Sequence, residues 1–233
     1  MERPSPAVQD YLKAIYQLTE AGQDADGVIG TSQVAQALSV TTASASNMLK
    51  RLDALGYVSQ VKRQGAALTD LGRRAALEVV RHHRILETYL ATRLGLSWDE
   101  VHAEAEVLEH HVSPALAERM AEVMGHPDRD PHGHPIPSAA GVVARSAARR
   151  LSELAVGERA TVVSVDDRDD ELLRFLADRG LVPGAAVEVR AVGPFGGPID
   201  LRVTGREQVA VPPTAASAVH VTPIEDAGRH SAS

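Results

Sequence analysis

The hydrophobic period of this sequence changes once, near Gly157, and that change rules out one uniform architecture. Upstream, apolar residues recur every three or four positions, as amphipathic helices require; downstream they come in short alternating runs between Gly and Pro, as strands do. The pattern implies a multidomain chain, mainly α at its N-terminal end and a small all-β barrel at the other. Aromatic residues make up only 3% of the 233 positions, so cores must be built from Ala, Leu and Val. Several small cores suit that supply better than one large one. With 44% hydrophobic and 24% charged residues, collagenous, disordered and membrane classes are excluded. No run approaches the ~18 to 20 apolar residues of a membrane span, and Met1-Glu2-Arg3-Pro4 lacks the basic-then-apolar layout of a signal peptide. The expectation is a cytoplasmic protein with no membrane partner.

There is no Cys, which excludes disulfides, thiolate zinc sites, iron–sulfur clusters and Cys nucleophiles. Any metal site must therefore use His nitrogen and carboxylate oxygen. The formal charge of −7 looks hostile to nucleic acid, yet it divides as +1 over residues 1–75, −3 over 76–150 and −5 over 151–233. Between Thr41 and Arg74 six basic residues face only Asp53 and Asp70, a local patch of +4.

The first segment reads as helices followed by a hairpin. Tyr11, Leu12, Ile15, Tyr16 and Leu18 predict a helix from about Pro6 to Glu20. Thr31-Ser32 caps a short helix, and Ser39-Val40-Thr41 leads tightly into a second one near Thr42, a helix-turn-helix pattern. In that second helix Ala45, Met48, Leu49, Leu52 and Leu55 share one face. Thr41, Thr42, Ala43, Ser44, Ser46, Asn47, Lys50 and Arg51 are small, polar or basic, which suits a helix lying in a major groove. Tyr57 to Val61 alternates as a strand, Lys62-Arg63-Gln64-Gly65 turns, and Ala66 to Thr69 returns. This is a wing with a basic tip, and Thr69 caps the next helix.

A long helical run, Ala75 to Leu94, carries His83 and Glu87 four positions apart. Ser97-Trp98-Asp99-Glu100 is a capping box that opens a further helix. At about 100° per residue, His102, Glu106, Glu109 and His110 fall on one side of it, opposite Val101, Ala105, Leu108 and Val112. Spacing alone leaves that stripe either solvated or ligating. Glu106-x-x-Glu109-His110 is similar to an inverted zinc-protease motif but has Glu where an essential His is needed, which argues against such a hydrolase. His111 lies off the stripe. His126, His132 and His134 have the composition of ligands, but Pro and Gly make their segment a loop and favour a non-ligating reading.

Taken together, Asp10 to Tyr16, the helix-turn-helix, Arg81 to Leu90, His102 to His110 and Pro131-His132-Gly133-His134-Pro135-Ile136-Pro137 resemble the diphtheria toxin repressor family of metal-dependent transcriptional regulators. The likeness covers nearly the whole chain and is greatest to the manganese-responsive members. It implies a primary metal site of Asp10, Glu106, Glu109 and His110. It also implies an ancillary site of His83, Glu87 and His102, completed from the C-terminal domain by Glu171, with Asp167 and Asp170 as further candidates. The iron-responsive branch has sulfur donors where this sequence has Asp10 and Glu106. The hard oxygens here suit Mn²⁺, with Fe²⁺ as the alternative. Lys13 stands where some manganese-responsive members have a carboxylate, which speaks against a closely bridged manganese pair.

The resemblance further implies a non-enzymatic repressor of metal-homeostasis genes that acts as a homodimer on a palindromic operator in double-stranded DNA. Metal would clamp the dimer in its DNA-binding form, with Lys62 and Arg63 on phosphate. The expected domains are a winged helix-turn-helix over residues 1–74, a helical dimerisation and metal-binding domain over 75–147, and a linker over 148–156. An SH3-like (FeoA-like) barrel over 157–225 and a disordered tail over 226–233 complete the chain. A helix and linker are expected over 141–154, strands near Ala160, Val187, Ile199 and Gln208, and a short helix over Leu172 to Asp178.

Overall fold

The computed structural model describes residues 4–20, 27–61, 64–144 and 147–224. The expected basic wing tip, Lys62-Arg63, and the expected disordered tail lie outside these. The chain divides into two compact units. The first comprises residues 1–83, 106–118 and 137–143, and the second 84–105, 119–136 and 144–233.

In the first unit, α1 (Pro6–Glu20) buries Leu12, Ile15 and Tyr16, the face its periodicity marks. Helices α2 (Thr31–Ala37) and α3 (Thr42–Ala54) follow, and the Thr41 hydroxyl accepts from Ser44 N to open α3. Val34, Ala45, Leu49 and Leu52 close over α1. Strands β1 (Val58–Val61) and β2 (Gly65–Leu68) form the antiparallel wing, and Ile29 bridges to Ala66 beside it. A Cβ on Gly65 would lie 2.0 Å from the Ile29 carbonyl oxygen, so only glycine allows that third pairing. The Thr69 hydroxyl accepts from Gly72 N at the start of α4 (Asp70–Tyr89), as the expected cap requires.

In the second unit, α4 runs on into a π-helical turn, Leu90–Leu94, ended by Gly95 at φ 75°. Only half of the expected capping box forms: Ser97 N and Oγ both donate to Glu100 Oε2, at 3.0 and 2.6 Å, but Glu100 N bonds to the Ser97 carbonyl rather than its hydroxyl, and the helix opens at Val101. Helix α5 (Val101–Leu108) begins in the second unit and ends in residues 106–118 of the first; it is shorter than the sequence suggests, because His111 N bonds to Leu108 O and tightens the turn before α6 (Pro114–Val123). Glu109 and His110 thus sit in a turn rather than on the helix, although both remain next to its last residues.

The expected helix over 141–154 does not form. Residues 141–144 and 147–148 carry no regular structure, and β3 (Arg149–Arg150) and a 3₁₀ turn (Leu151–Glu153) follow. The reason is pairing: β3 is held by β8 (Val219–Pro223), a strand the sequence did not suggest. With β4 (Arg159–Val165), β5 (Ala186–Val192), β6 (Ile199–Val203) and β7 (Arg206–Val211), they form one antiparallel sheet in the order β3-β8-β4-β5-β6-β7. Register shifts between Val162 and Ser164, Val189 and Ala191, and Leu201 and Val203 coil it. Helices α7 (Asp170–Asp178) and α8 (Pro213–Ser217) belong to the same domain, and Leu151, Leu173, Leu176, Leu181 and Leu201 fill its core. The second core is built from aliphatic residues, whereas the first also takes in Tyr11, Tyr16 and Tyr57.

Candidate functional site

In the first unit α1 brings two polar residues, Gln9 and Asp10, to the turn after α5. Gln9 is almost fully buried, and its amide nitrogen donates to Pro4 O at 2.8 Å. That leaves its carbonyl oxygen to accept from His110 Nδ1 at 2.7 Å. With its proton on Nδ1, the His110 imidazole turns Nε2 to Asp10 Oδ1 at 2.9 Å and Glu109 Oε1 at 3.7 Å. This is how a metal-ligating histidine is oriented: one nitrogen anchored to an acceptor, the other free to ligate. Asp10, Glu109 and His110 offer ligand atoms within 4.8 Å of one another, and Glu106 joins Glu109 and His83 in an overlapping group. The sequence-read primary set therefore assembles in one unit. Gln9 was missed, and its only signal was a polar residue next to the apolar stripe of α1.

This cluster already cradles a cation from the chain itself. Lys13 Nζ lies 2.6 Å from Glu106 Oε1, and 3.0 and 2.8 Å from the two oxygens of Glu109, although its side chain is almost wholly buried. Burial alone would lower the Lys13 pKa, but the Glu109 and Glu106 charges outweigh it and raise it. Glu109 shows the converse. Burial raises its pKa, yet the hydrogen bond with His83, 2.6 Å away, and the Lys13 charge carry it below the ordinary carboxylate value. The Asp10 pKa is raised by burial, with His110 opposing. Two carboxylates, Glu106 and Glu109, gather the ammonium, and with Asp10 and His110 beside them they form a donor set fit for a hard divalent ion.

In the second unit Glu87 Oε1 lies 3.1 Å from His102 Nδ1. Glu87, His102 and Asp167 offer ligand atoms within 4.8 Å of one another. Asp167, in the loop after β4, is thus the C-terminal carboxylate brought to Glu87 and His102. Glu171 is exposed in the first turn of α7, and Asp170 is exposed beside it. His83 pairs with Glu109 in the first unit. His111 is exposed, as its place off the stripe suggests.

On α3 the two faces divide as read from the sequence. Ala45, Leu49 and Leu52 are buried, whereas Thr41, Thr42, Ala43, Ser44, Asn47, Lys50 and Arg51 are exposed and Ser46 is half-buried. The helix therefore presents small and polar groups at its N-terminal end and two cations further along.

The comparisons agree with this geometry. Residues 5–66 match the family described as iron dependent repressor, N-terminal DNA binding domain. Residues 69–138 match its metal binding and dimerisation domain, and 149–223 the FeoA domain. The chain is 33% identical over 227 residues to the iron-dependent repressor IdeR of Mycobacterium tuberculosis, covering 92% of this chain and 96% of that protein. It is 32% identical over 121 residues to the HTH-type transcriptional regulator MntR of Geobacillus kaustophilus, covering 52% of this chain and 82% of that one. Among solved structures, a manganese-dependent transcriptional repressor in complex with manganese has 40% identity and a TM-score of 0.87, over 93% of this chain and all of that one. The chain belongs to the diphtheria toxin repressor family of metal-dependent transcriptional repressors, with the N-terminal DNA-binding, metal-binding and dimerisation, and FeoA domains of that family.

Proposed function

We propose that the chain is a manganese-dependent repressor of metal-homeostasis genes that binds a palindromic operator as a cytoplasmic homodimer and carries no catalytic activity. The observation that carries this reading is the first-unit cluster, in which Asp10, Glu106, Glu109 and His110 supply only hard oxygen and imidazole donors. Such donors suit Mn²⁺, and the solved manganese-bound relative supports the choice. When bound, the ion supplies two positive charges shared by residues of two helices and a turn. Asp10 comes from α1, Glu106 from α5, and Glu109 and His110 from the turn after it. Holding one cation together, these residues would fix α1, and with it the winged helix packed on α1, in one arrangement.

In the dimer, that arrangement would set the two α3 helices one DNA turn, about 34 Å, apart. Thr42, Ala43, Ser44, Ser46 and Asn47 are then candidates for base edges. Thr41, Lys50, Arg51, Lys62 and Arg63 are candidates for phosphate. A coupling of about 1 to 3 kcal/mol per protomer, used twice in a dimer, corresponds to a 10- to 10³-fold or larger change in DNA affinity. The ancillary set draws on Glu87 and His102, with Asp167 in the role expected for Glu171, and His83 orients Glu109.

A second reading, Fe²⁺ as effector, is favoured by the iron-dependent relative, which matches over nearly the whole chain. The deciding experiment is a DNA-binding titration on the gene's own upstream region and on metal-transport promoters, with Mn²⁺, Fe²⁺ and Zn²⁺ at controlled free concentrations. Selective response to Mn²⁺ supports the manganese reading. Selective response to Fe²⁺ supports the alternative, and equal response to all three removes the basis for either.

A further inference from the structure

Helix α1 buries nine side chains, and only two of them, Gln9 and Lys13, end in an amide or a charge. Four positions apart, they lie on the same side of the helix, and both bond to the segment from Glu106 to His110. Gln9 Oε1 meets His110 Nδ1 at 2.7 Å. Lys13 Nζ donates to Glu106 Oε1 at 2.6 Å and to Glu109 Oε1 and Oε2 at 3.0 and 2.8 Å, and His83 Nδ1 lies 3.2 Å from it. These bonds tie α1 to the same residues that the metal is proposed to join, and they do so through the chain's own atoms.

Lys13 is 5% exposed and Glu109 0%, and either charge buried without the other would be strongly destabilising. An apolar residue at position 13 would pack without that burden. What the ammonium supplies is charge. Asp10, Glu106 and Glu109 carry three negative charges when ionised; Lys13 leaves two, which one divalent ion neutralises. In metal-free protein the ammonium offsets the repulsion between the Glu106 and Glu109 carboxylates and keeps both turned toward α1, where an ion would meet them. The ion must then share these two acids with it, so Lys13 prepares the ligands while weakening the ion's hold on them.

We propose that Lys13 is a positioning residue that stands in for the metal's charge in the metal-free chain, holding Glu106 and Glu109 together and α1 against them. Without it, the joint between α1 and the turn after α5 would open whenever metal is lost. With it, the ion closes a joint already partly made. Lys13 thereby sets how far α1, and the winged helix packed on it, is released in metal-free protein. The proposal rests on the metal clamp between α1 and that turn, but its own claim concerns the metal-free chain, so neither Mn²⁺ nor DNA is needed to test it.

The test is hydrogen exchange, followed by mass spectrometry, on the full chain in chelator, read over α1 and over residues 106–112. Lys13→Met keeps a long unbranched side chain and removes the charge; it should speed exchange in both segments about tenfold or more. Lys13→Arg, which keeps a cation, should stay within a few-fold of the unsubstituted chain. Adding Glu109→Gln to Lys13→Met removes the unpaired acid and should restore most of the protection, because the role is one of charge rather than packing. Unchanged exchange in Lys13→Met, or no recovery in the double variant, overturns the proposal. Should Lys13→Met fail to fold in chelator, the double variant decides: folding regained supports the charge role, and folding still lost overturns it. A separate arm adds Mn²⁺ to the unsubstituted chain and tests the clamp alone. If Mn²⁺ adds no protection to α1, the clamp reading fails whatever the chelator arms give.

Discussion

Lys13 Nζ sits 2.8 and 3.0 Å from the two carboxylate oxygens of Glu109, so the chain's own ammonium occupies the cation position between α1 and the turn after α5. Glu109 is fully buried and Lys13 nearly so, which makes each the counterion the other needs. A metal ion at this cluster must share Glu106 and Glu109 with that ammonium.

Lys13→Met should therefore act in opposite directions on stability and on metal affinity. Without metal, the buried Glu109 charge loses a partner, and the variant should be destabilised by about 3 kcal/mol in chelator-treated urea melts. Added Mn²⁺ should restore more stability to it than to the unsubstituted chain, and its Mn²⁺ affinity should rise about tenfold. Equal Mn²⁺ affinity in the two proteins would show that the ammonium does not compete.

Gln9→Leu should reduce Mn²⁺ affinity by about 10- to 100-fold without touching a ligand, because it frees the His110 imidazole that Gln9 orients. Gln9→Glu, which keeps an acceptor at that place, should retain most of it. Isothermal titration with Mn²⁺ checks both.

On α3, Lys50→Ala and Arg51→Ala should weaken all DNA sequences nearly equally, each lowering the salt slope of log K by about 0.9 if it touches one phosphate. Lys62→Ala and Arg63→Ala should behave alike. Asn47→Ala should instead change sequence preference, costing about 1 to 3 kcal/mol on the cognate base and little elsewhere. Anisotropy titrations on specific and scrambled duplexes at several salt concentrations separate the two classes.

The His134 imidazole gives a pH signature in metal-free protein. Burial opposes its charge, but Asp167 and Asp130 outweigh burial and raise its pKa to about 10, while His134 lowers that of Asp167 against burial. A raised histidine stabilises fully below its unfolded value near 6.5 and loses that contribution as pH climbs through about 10. The lowered Asp167 contributes above about pH 4 and loses its share on acidification. His134→Gln should thus be most destabilising between about pH 4 and 6.5 and nearly neutral above pH 10. Thermal melts in chelator across that range test it, and a penalty independent of pH would contradict the ion pairing.

Much of this was legible in the sequence because it is local. The period of Leu12, Ile15 and Tyr16 marks the buried face of α1, Thr41 and Thr69 cap α3 and α4, and the acids and histidines of residues 102–110 share one stripe, which the family resemblance, not spacing alone, reads as metal-binding. What was not legible depends on partners far along the chain. Gln9 and Lys13 become significant only when residues about a hundred positions later fold against them. His132 lies in a Pro- and Gly-rich loop with no period, so only packing reveals that its Nδ1 lies 3.6 Å from Glu87 and 3.9 Å from Asp167. The helix expected over 141–154 gave way to β3 because pairing with β8 outweighs local propensity.

The most direct measurement is the Mn²⁺ dependence of DNA binding by the unsubstituted chain and by Glu106→Ala, on the gene's own upstream region, with the oligomeric state of both checked by sedimentation. The account predicts that Mn²⁺ raises the affinity of the unsubstituted dimer at least about tenfold and leaves the folded, dimeric Glu106→Ala protein unresponsive. A full Mn²⁺ response in Glu106→Ala would contradict it.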